Sequence, residues 1–307
     1  MLLTSDWHLD DNPANEYRWR IFDHVRAWIA TDEEKEVFHL GDLTDRKDRH
    51  SAKLVNRLVE ELRSLFALGA TVYVLMGNHD KPLKDTPYWS FLNSIAQAGD
   101  SYWIKYITNP YALENVLLLP YADNPAEEWQ GLDYTLYTIV LMHQTLTGAT
   151  GNNGIQLTNP NMPALPKGPR YYSGDIHTTQ RVGRVVYVGA PHPVAFGDTY
   201  PPQMLQINKD SGITEKIISV DTIQKLTLRV HSLAELEEIP VFPGDQVKVV
   251  YHLPLSDSDV WLLTQNAIRD VLLSKGALIA SIEPNFTEMH TEAGGEHLSN
   301  LDPDTDP

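Results

Sequence analysis

Seven side chains that could coordinate a metal ion, none of them sulfur, fall in five short segments of this chain. Asp6 and His8 stand one residue apart in TSDWHLDD. GDLTDR carries Asp42, with Asp45 and Arg46 behind it. GNHD supplies Asn78, His79 and Asp80, YTIVLMH ends on His143, and SGDIHTTQ supplies Asp175 and His177. A D-x-H pair alone is a common accident. Carboxylate, imidazole and amide oxygen together suit Mn²⁺, Fe²⁺ or Zn²⁺, with Mg²⁺ also open, and the oxygen-rich balance favours Mn²⁺. The set exceeds what one ion needs and fits two ions sharing a carboxylate. Two such ions about 3.5–4 Å apart clamp the attacking and leaving oxygens of an in-line displacement at phosphorus.

That chemistry requires five segments to end at one place, and the flanking sequence supplies the means. MLLTS, EVFHL, TVYVLM, NVLLLPY and YTIVLMH read as buried strands bounded by polar or turn residues. Between them lie amphipathic helices. One runs from about Tyr17 to Ile29, with Phe22, Val25 and Ile29 on one face. Another places Leu54, Leu58, Leu62 and Leu65 at helical spacing after Ser51, a good N-cap. The alternation predicts an α/β architecture with helices covering a sheet. In such sheets ligands bind at the carboxyl ends of strands, where these residues fall. The glycines in GD, GN and SGD let the backbone turn sharply there and come close to the site.

The second half is organised differently. Residues 148–170 show little periodicity, as functional or mobile segments do. RVVYVGA and QMLQINKD predict a hairpin-rich second sheet. From residue 222 the pattern changes to KLTLRVH, VKVVYHL, a helix near Val260 to Ser274, and ALIASIEP. We read residues 1–221 as the main domain, 222–287 as a small appended β-β-α-β domain, and 288–307 as an acidic, disordered tail.

Composition sets the outer limits. The 307 residues, 42% hydrophobic and 21% charged, suit a globular protein able to bury a full core. No apolar run of roughly 18 residues predicts a membrane span. No basic, then apolar N-terminal pattern predicts a signal peptide. With no cysteine there are no disulfides or thiolate sites, and a cytoplasmic location is expected. The net charge of −17 is unusual for a nucleic-acid binder, whose affinity depends on phosphate neutralisation. An acidic chain can still act on phosphates if bound cations supply the field locally, or if its few basic residues gather at the site. Arg46, Lys47 and Arg49 after the second motif, and Lys81 and Lys84 after the third, fit that second route. Arg46, Lys47 and Lys81 are the candidate substrate contacts. Tyr88 and Trp89 could stack on a base, though their spacing suits a core equally. His39 is expected to pack in the sheet, and His24, His231, His252, His290 and His297 to be structural or solvated. His50 and His192 are left open.

D-x-H, GDxxDR, GNHD, a later lone histidine and a final G-x-x-H element, in that order, resemble the calcineurin-like metallophosphoesterase family over roughly residues 1–210. The resemblance implies a four-layer α/β/β/α sandwich. It assigns one metal to Asp6, His8, Asp42 and His177, and a second to Asp42, Asn78, His143 and Asp175, with Asp42 bridging. His79 would protonate the leaving oxygen or stabilise its charge, with Asp80 placed to orient the imidazole, while a hydroxide shared by the metals attacks. One departure is visible: the last element is usually G-H-x-H, and Asp175 stands where the first of those imidazoles would be.

The segment YYSGDIHTTQRVGRVVYVGAPHPVAFGDTYPPQMLQI is similar to SbcD-type DNA exonucleases, whose small capping domain the block after residue 222 also resembles. GNHD, rather than GNHE, separates the chain from protein phosphatases of this fold. The resemblance implies Mn²⁺-dependent 3′ to 5′ hydrolysis of DNA in repair or recombination. It also implies an SMC-like ATPase partner of the SbcC type, although the usual helical partner-binding segment is not evident; a homodimer is a separate expectation. Two alternatives are a phosphodiesterase for cyclic or other small nucleotides, and a non-enzymatic nucleic-acid or nuclease-binding platform. The intact ligand set argues against the platform.

Overall fold

The computed structural model describes residues 1–47, 49–81, 92, 104–151 and 154–287. Lys84, Tyr88, Trp89, His290, His297 and the acidic tail lie outside these. The chain divides into two compact units, Met1–Leu226 and Thr227–Pro307.

The first unit is built on two six-stranded sheets. In one, β1 (Leu2–Thr4), β2 (Glu36–His39), β3 (Thr71–Leu75) and β4 (Ile104–Ile107) run parallel in sequence order. In the other, β6 (Val116–Leu119), β7 (Ile139–His143) and β8 (Arg170–Gly174) are parallel neighbours. They are flanked by β5 (Tyr111–Leu113) on one side and by β10 (Val185–Tyr187) and β9 (Gln180–Val182) on the other. Near-continuous apolar runs such as VLLL and IVLMH are what strands buried on both faces require.

Three apolar clusters define the layers. Between the sheets lie Leu3, Phe38, Leu40 and Leu75 from the first with Leu118, Ile139, Leu141 and Tyr172 from the second. On the far side of the first sheet pack two helices. Asn12 opens a 3-10 segment, Pro13–Arg20, by accepting from the Ala14 N–H at 3.1 Å. It continues into α1 (Ile21–Thr31), which buries Phe22, Val25 and Ile29. Ser51 caps α2 (Ala52–Ala67) by accepting from the Leu54 N–H at 3.0 Å. Leu54, Leu58, Leu62 and Leu65 of α2 are buried, each contributing roughly 1.5–3 kcal/mol. On the far side of the second sheet the layer is thinner. A short helix (Pro125–Glu128), a 3-10 turn (Tyr134–Leu136) and an irregular run carrying Leu146, Leu157, Met162 and Leu165 cover Trp129, Tyr171 and Tyr187. The aperiodic stretch within 148–170 thus contributes to this fourth layer, where side chains pack without a repeating element.

The placement of QMLQINKD corrects the sequence reading. It forms β11 (Gln203–Ile207) in the first sheet, antiparallel to β1, with β12 (Thr214–Ser219) at the edge. Its alternation serves two cores: Met204 faces the helices, while Leu205 and Ile207 face the second sheet.

In the second unit β13 (Lys225–Val230), β14 (Gln246–Pro254) and β15 (Leu278–Thr287) form a three-stranded sheet in that order, and a helix (Trp261–Ser274) precedes β15. The expected β-β-α-β order lacks one element, a helix at Leu233–Glu238 between the first two strands. Ser232 caps it by accepting from the Glu235 N–H at 3.1 Å, and Glu235 accepts from the His231 N–H at 2.8 Å. Among the described residues no helix is long and apolar enough to cross a membrane.

Candidate metal centre

At the carboxyl ends of β1, β2 and β8 the chain turns through a region that residues with a Cβ rarely enter. Asp6 (φ 54°), His8 (44°), Asp42 (58°) and Asp175 (80°) are left-handed, and among the described non-glycine residues only Glu114 (51°) joins them. Each such residue costs on the order of 1–3 kcal/mol and persists only where its surroundings over-determine it. Here the main chain does so. Leu40 N–H donates to Thr4 O at 2.8 Å, Asp6 N–H to Gly41 O, His8 N–H to Asp42 O and Leu9 N–H to Leu43 O, the last three at 3.0 Å. The β1–β2 ladder therefore continues past both strand ends and carries Asp6, His8 and Asp42 with it. A Cβ at Gly41 would strike the His143 ring, and one at Gly77 would strike the Asp42 carboxylate.

The geometry centres on Asp42. Its Oδ2 lies 3.7 Å from His8 Nε2, and its Oδ1 lies 3.5 Å from His143 Nε2. On the His8 side, His177 Nε2 is 3.2 Å from His8 Nε2, and Asp6, His8 and His177 form one cluster of potential ligand atoms within 4.8 Å of one another. On the other side, Asp175 Oδ1 is 3.8 Å from His143 Nε2. One end of the Asn78 amide lies 3.0–3.1 Å from both Asp42 oxygens and 3.0 Å from His143 Nε2, where the neighbours are all acceptors. All seven predicted ligand residues thus converge. Outer contacts hold several in place: Asp6 Oδ2 accepts from Ser5 Oγ at 2.6 Å, Asp6 Oδ1 from the Asp175 N–H at 3.2 Å, and Thr145 Oγ1 donates to Asp175 Oδ2.

Packing this many ionisable groups together displaces their pKa values. Burial, set against the nearby His143 and His177, pushes the Asp6 carboxyl up to about 6. Burial also raises the Asp175 carboxyl. Burial opposes ionisation of Asp42 too, yet the adjacent His143 holds this carboxyl well below the usual range. Against the same burial, the Asp42 carboxylate pushes His143 up to about 10. Burial and the neighbouring His8 lower His177. Without added positive charge, the cluster can stay buried only by holding protons.

Two expectations need correction. His79 is not oriented by Asp80: its Nδ1 donates to the Asp45 carbonyl at 2.7 Å, and its N–H donates to Asp42 Oδ1 at 2.9 Å. Asp80 Oδ2 instead accepts the N–H groups of Gly77 (2.8 Å) and Asp42 (3.2 Å), fixing the two turns against each other. Burial, then the Asp42 charge, pushes the Asp80 carboxyl up to about 7. Lys81 is the second correction. Its Nζ is bound to Asp123 Oδ2 at 2.6 Å, so this ammonium is engaged by a carboxylate and not free for substrate. Arg46 and Lys47 are exposed on the turn after Asp45. His39 is packed beneath Trp7, with burial and the nearby His143 pushing it down to about 3.

Sequence reasoning missed a buried group behind His8. Arg18, 3% exposed, donates through Nη1 to the His8 carbonyl and through Nη2 to Val194 O at 3.1 Å. It also lies 3.8 Å from the Asp45 carboxylate, which is itself 3.4 Å from His8 Nδ1. Asp198 accepts from the N–H groups of Val194 and Ala195, both at 2.8 Å, and from Tyr200 Oη at 3.0 Å, bracing the loop that carries the buried His192.

No curated protein matches the chain significantly. Among solved structures it is similar to the Pseudomonas putida nuclease MPE, at 13% identity over 71% of each chain and a TM-score of 0.33, a likeness too loose to bear on function. Residues 1–179 match calcineurin-like phosphoesterase, so the chain belongs to the calcineurin-like phosphoesterase family, whose members are metal-dependent hydrolases.

Proposed function

We propose that the protein is a two-metal phosphodiesterase that cleaves DNA, an exonuclease of the SbcD type working 3′ to 5′ with Mn²⁺. The observation that carries the metal centre is the position of Asp42, one oxygen facing His8 and the other His143. Asp6, His8, Asp42 and His177 would hold one ion, and Asp42, Asn78, His143 and Asp175 the second. The donor set fits dications. Two imidazole nitrogens sit 3.2 Å apart beside buried carboxylates, an arrangement that a shared cation stabilises. A carboxylate at Asp175 adds an oxygen where the family usually has nitrogen, which supports Mn²⁺ over Zn²⁺. When bound, such ions polarise the phosphate and activate water for in-line attack.

The chain's own groups then have defined tasks. The Asp45 carbonyl holds His79 Nδ1, leaving Nε2 to deliver a proton to the departing oxygen. Arg18 and Asp45 hold His8 from behind. The preference for DNA rests on the sequence similarity of residues 171–207 to SbcD-type exonucleases. It is tested by digesting end-labelled linear duplex and single-stranded DNA with Mn²⁺, beside cyclic nucleotides and a chromogenic phosphodiester, each repeated with Asp42→Ala. Shortening of DNA that the variant abolishes supports the proposal. Cleavage of the small substrates alone would replace it with the small-nucleotide reading.

A further inference from the structure

At the amino end of β8, away from the metal-binding turns, a cleft of about 240 Å³ has Arg170, Arg181 and Arg184 among its lining residues, with Pro169, Tyr171 and Tyr172 beside them. Arg170 opens β8 and Gly174 closes it, so the cleft lies about 13 Å along the strand from the Asp175 turn, at roughly 3.3 Å per residue. Arg181 and Arg184 are carried by the tight hairpin of β9 and β10, which pair Val182 with Val185.

The cleft gathers three arginines in an acidic molecule. The chain has 41 acidic residues against 24 lysines and arginines, and some of those cations, Arg26, Arg57, Lys209 and Lys248, make ion pairs at 3.2 Å or less. Among the described residues Arg170, Arg181 and Arg184 make none, and no Asp or Glu lines the cleft. Two of the three are oriented by the main chain. Arg170 Nε donates to Ser211 O at 3.1 Å and Arg181 Nε to Gly183 O at 3.3 Å, which leaves the terminal nitrogens of both forks for a ligand. Paired guanidinium nitrogens match phosphate oxygens in spacing and planarity.

We propose that this cleft binds backbone phosphates of a nucleic-acid strand, remote from the metal centre. The choice of a strand as the source of phosphate rests on the nuclease reading; the anion chemistry does not. In a chain of net charge −17 the cleft would give a polyanion a local attachment that the overall field denies it.

The test measures binding of a fluorescent oligonucleotide by anisotropy, without divalent metal, so that no cleavage intervenes. The charge-reversed pair Arg181→Glu with Arg184→Glu is expected to bind about tenfold or more weakly. Its salt dependence should flatten by about 0.7–0.9 in log–log slope per lost contact. The pair Arg181→Lys with Arg184→Lys should keep most of the binding, which separates loss of charge from loss of fold. Both pairs should hydrolyse a chromogenic phosphodiester with Mn²⁺ at the wild-type rate. Unchanged oligonucleotide binding in the reversed pair overturns the proposal, as does binding of a nucleoside diphosphate in the cleft with none of the oligonucleotide. If the oligonucleotide binds as described but is never cut with metal present, the nuclease reading fails and the cleft stands.

Discussion

His143 donates through Nδ1 to the carbonyl oxygen of Leu40 at 2.5 Å, a contact that crosses from the second sheet to the first. It holds the Nδ1 proton in place, so Nε2 is the nitrogen that faces Asp42 and Asn78 and is the one open to a metal. Half of the metal centre therefore depends on how the two sheets sit against each other, and the packing between them, Leu40 included, is part of the site.

Gly41 tests that dependence. Its φ of 100° and its position against the His143 ring leave no room for a side chain. Gly41→Ala is expected to destabilise the fold by roughly 1–3 kcal/mol through backbone strain alone, and to displace His143. Calorimetric titration should then show one tight divalent ion fewer per chain than the wild type.

The buried acids set a pH dependence for the metal-free protein. The Asp6 and Asp80 carboxyls are pushed up from 3.8 to about 6 and about 7, burial being the main cause. His143 is pushed up from 6.5 to about 10, against burial, by Asp42. In each case the folded chain binds the proton more tightly than the unfolded chain, so stability falls as pH rises. The fall runs from about 4 to about 7 for the carboxyls and from about 6.5 to about 10 for the imidazole. Below about pH 6.5 the lowered His39 and His177 act in the opposite sense, so melting of the chelator-treated protein should drop above that point, from about pH 7 to about pH 9. Saturating Mn²⁺ should flatten the profile, and metal uptake near neutrality should release protons. A metal-free profile that rises over this range would contradict the assignment.

His79→Ala distinguishes proton delivery from a structural role. Activity on a phosphodiester with a poor leaving group should fall by about 10²–10⁴-fold. On a nitrophenyl ester, whose leaving oxygen needs no proton, the loss should be much smaller. Equal losses on both would place His79 in phosphate binding instead.

Thr145 supports a ligand without being one. Its hydroxyl donates to Asp175, so Thr145→Val should weaken metal affinity by about 10–100-fold, while Thr145→Ser retains it. Metal titration followed by melting temperature reads both.

The ligands were legible because each follows an apolar strand, and strand ends meet at one rim in an α/β fold. What was not legible depends on where side chains point. In GNHD the imidazole and the carboxylate are sequence neighbours, yet His79 turns to the Asp45 carbonyl and Asp80 to the main chain of Gly77 and Asp42. Arg18 lies in a polar 3-10 segment that reads as a solvated helix start, and its target is a carbonyl ten residues back that only the left-handed turn at His8 exposes. The apolar alternation of Gln203–Ile207 marks a strand but cannot name its sheet. The Leu233–Glu238 helix did leave a signal, Ser232 followed three residues later by Glu235, in a segment too short to show periodicity.

The most direct test of the central claim is electron paramagnetic resonance of the Mn²⁺-loaded protein, compared with Asp42→Asn. A carboxylate shared between two ions couples their spins. The wild type is expected to show an exchange-coupled spectrum at two ions per chain, and the variant the spectrum of isolated Mn²⁺. An isolated-ion spectrum from the fully loaded wild type would contradict a centre bridged by Asp42.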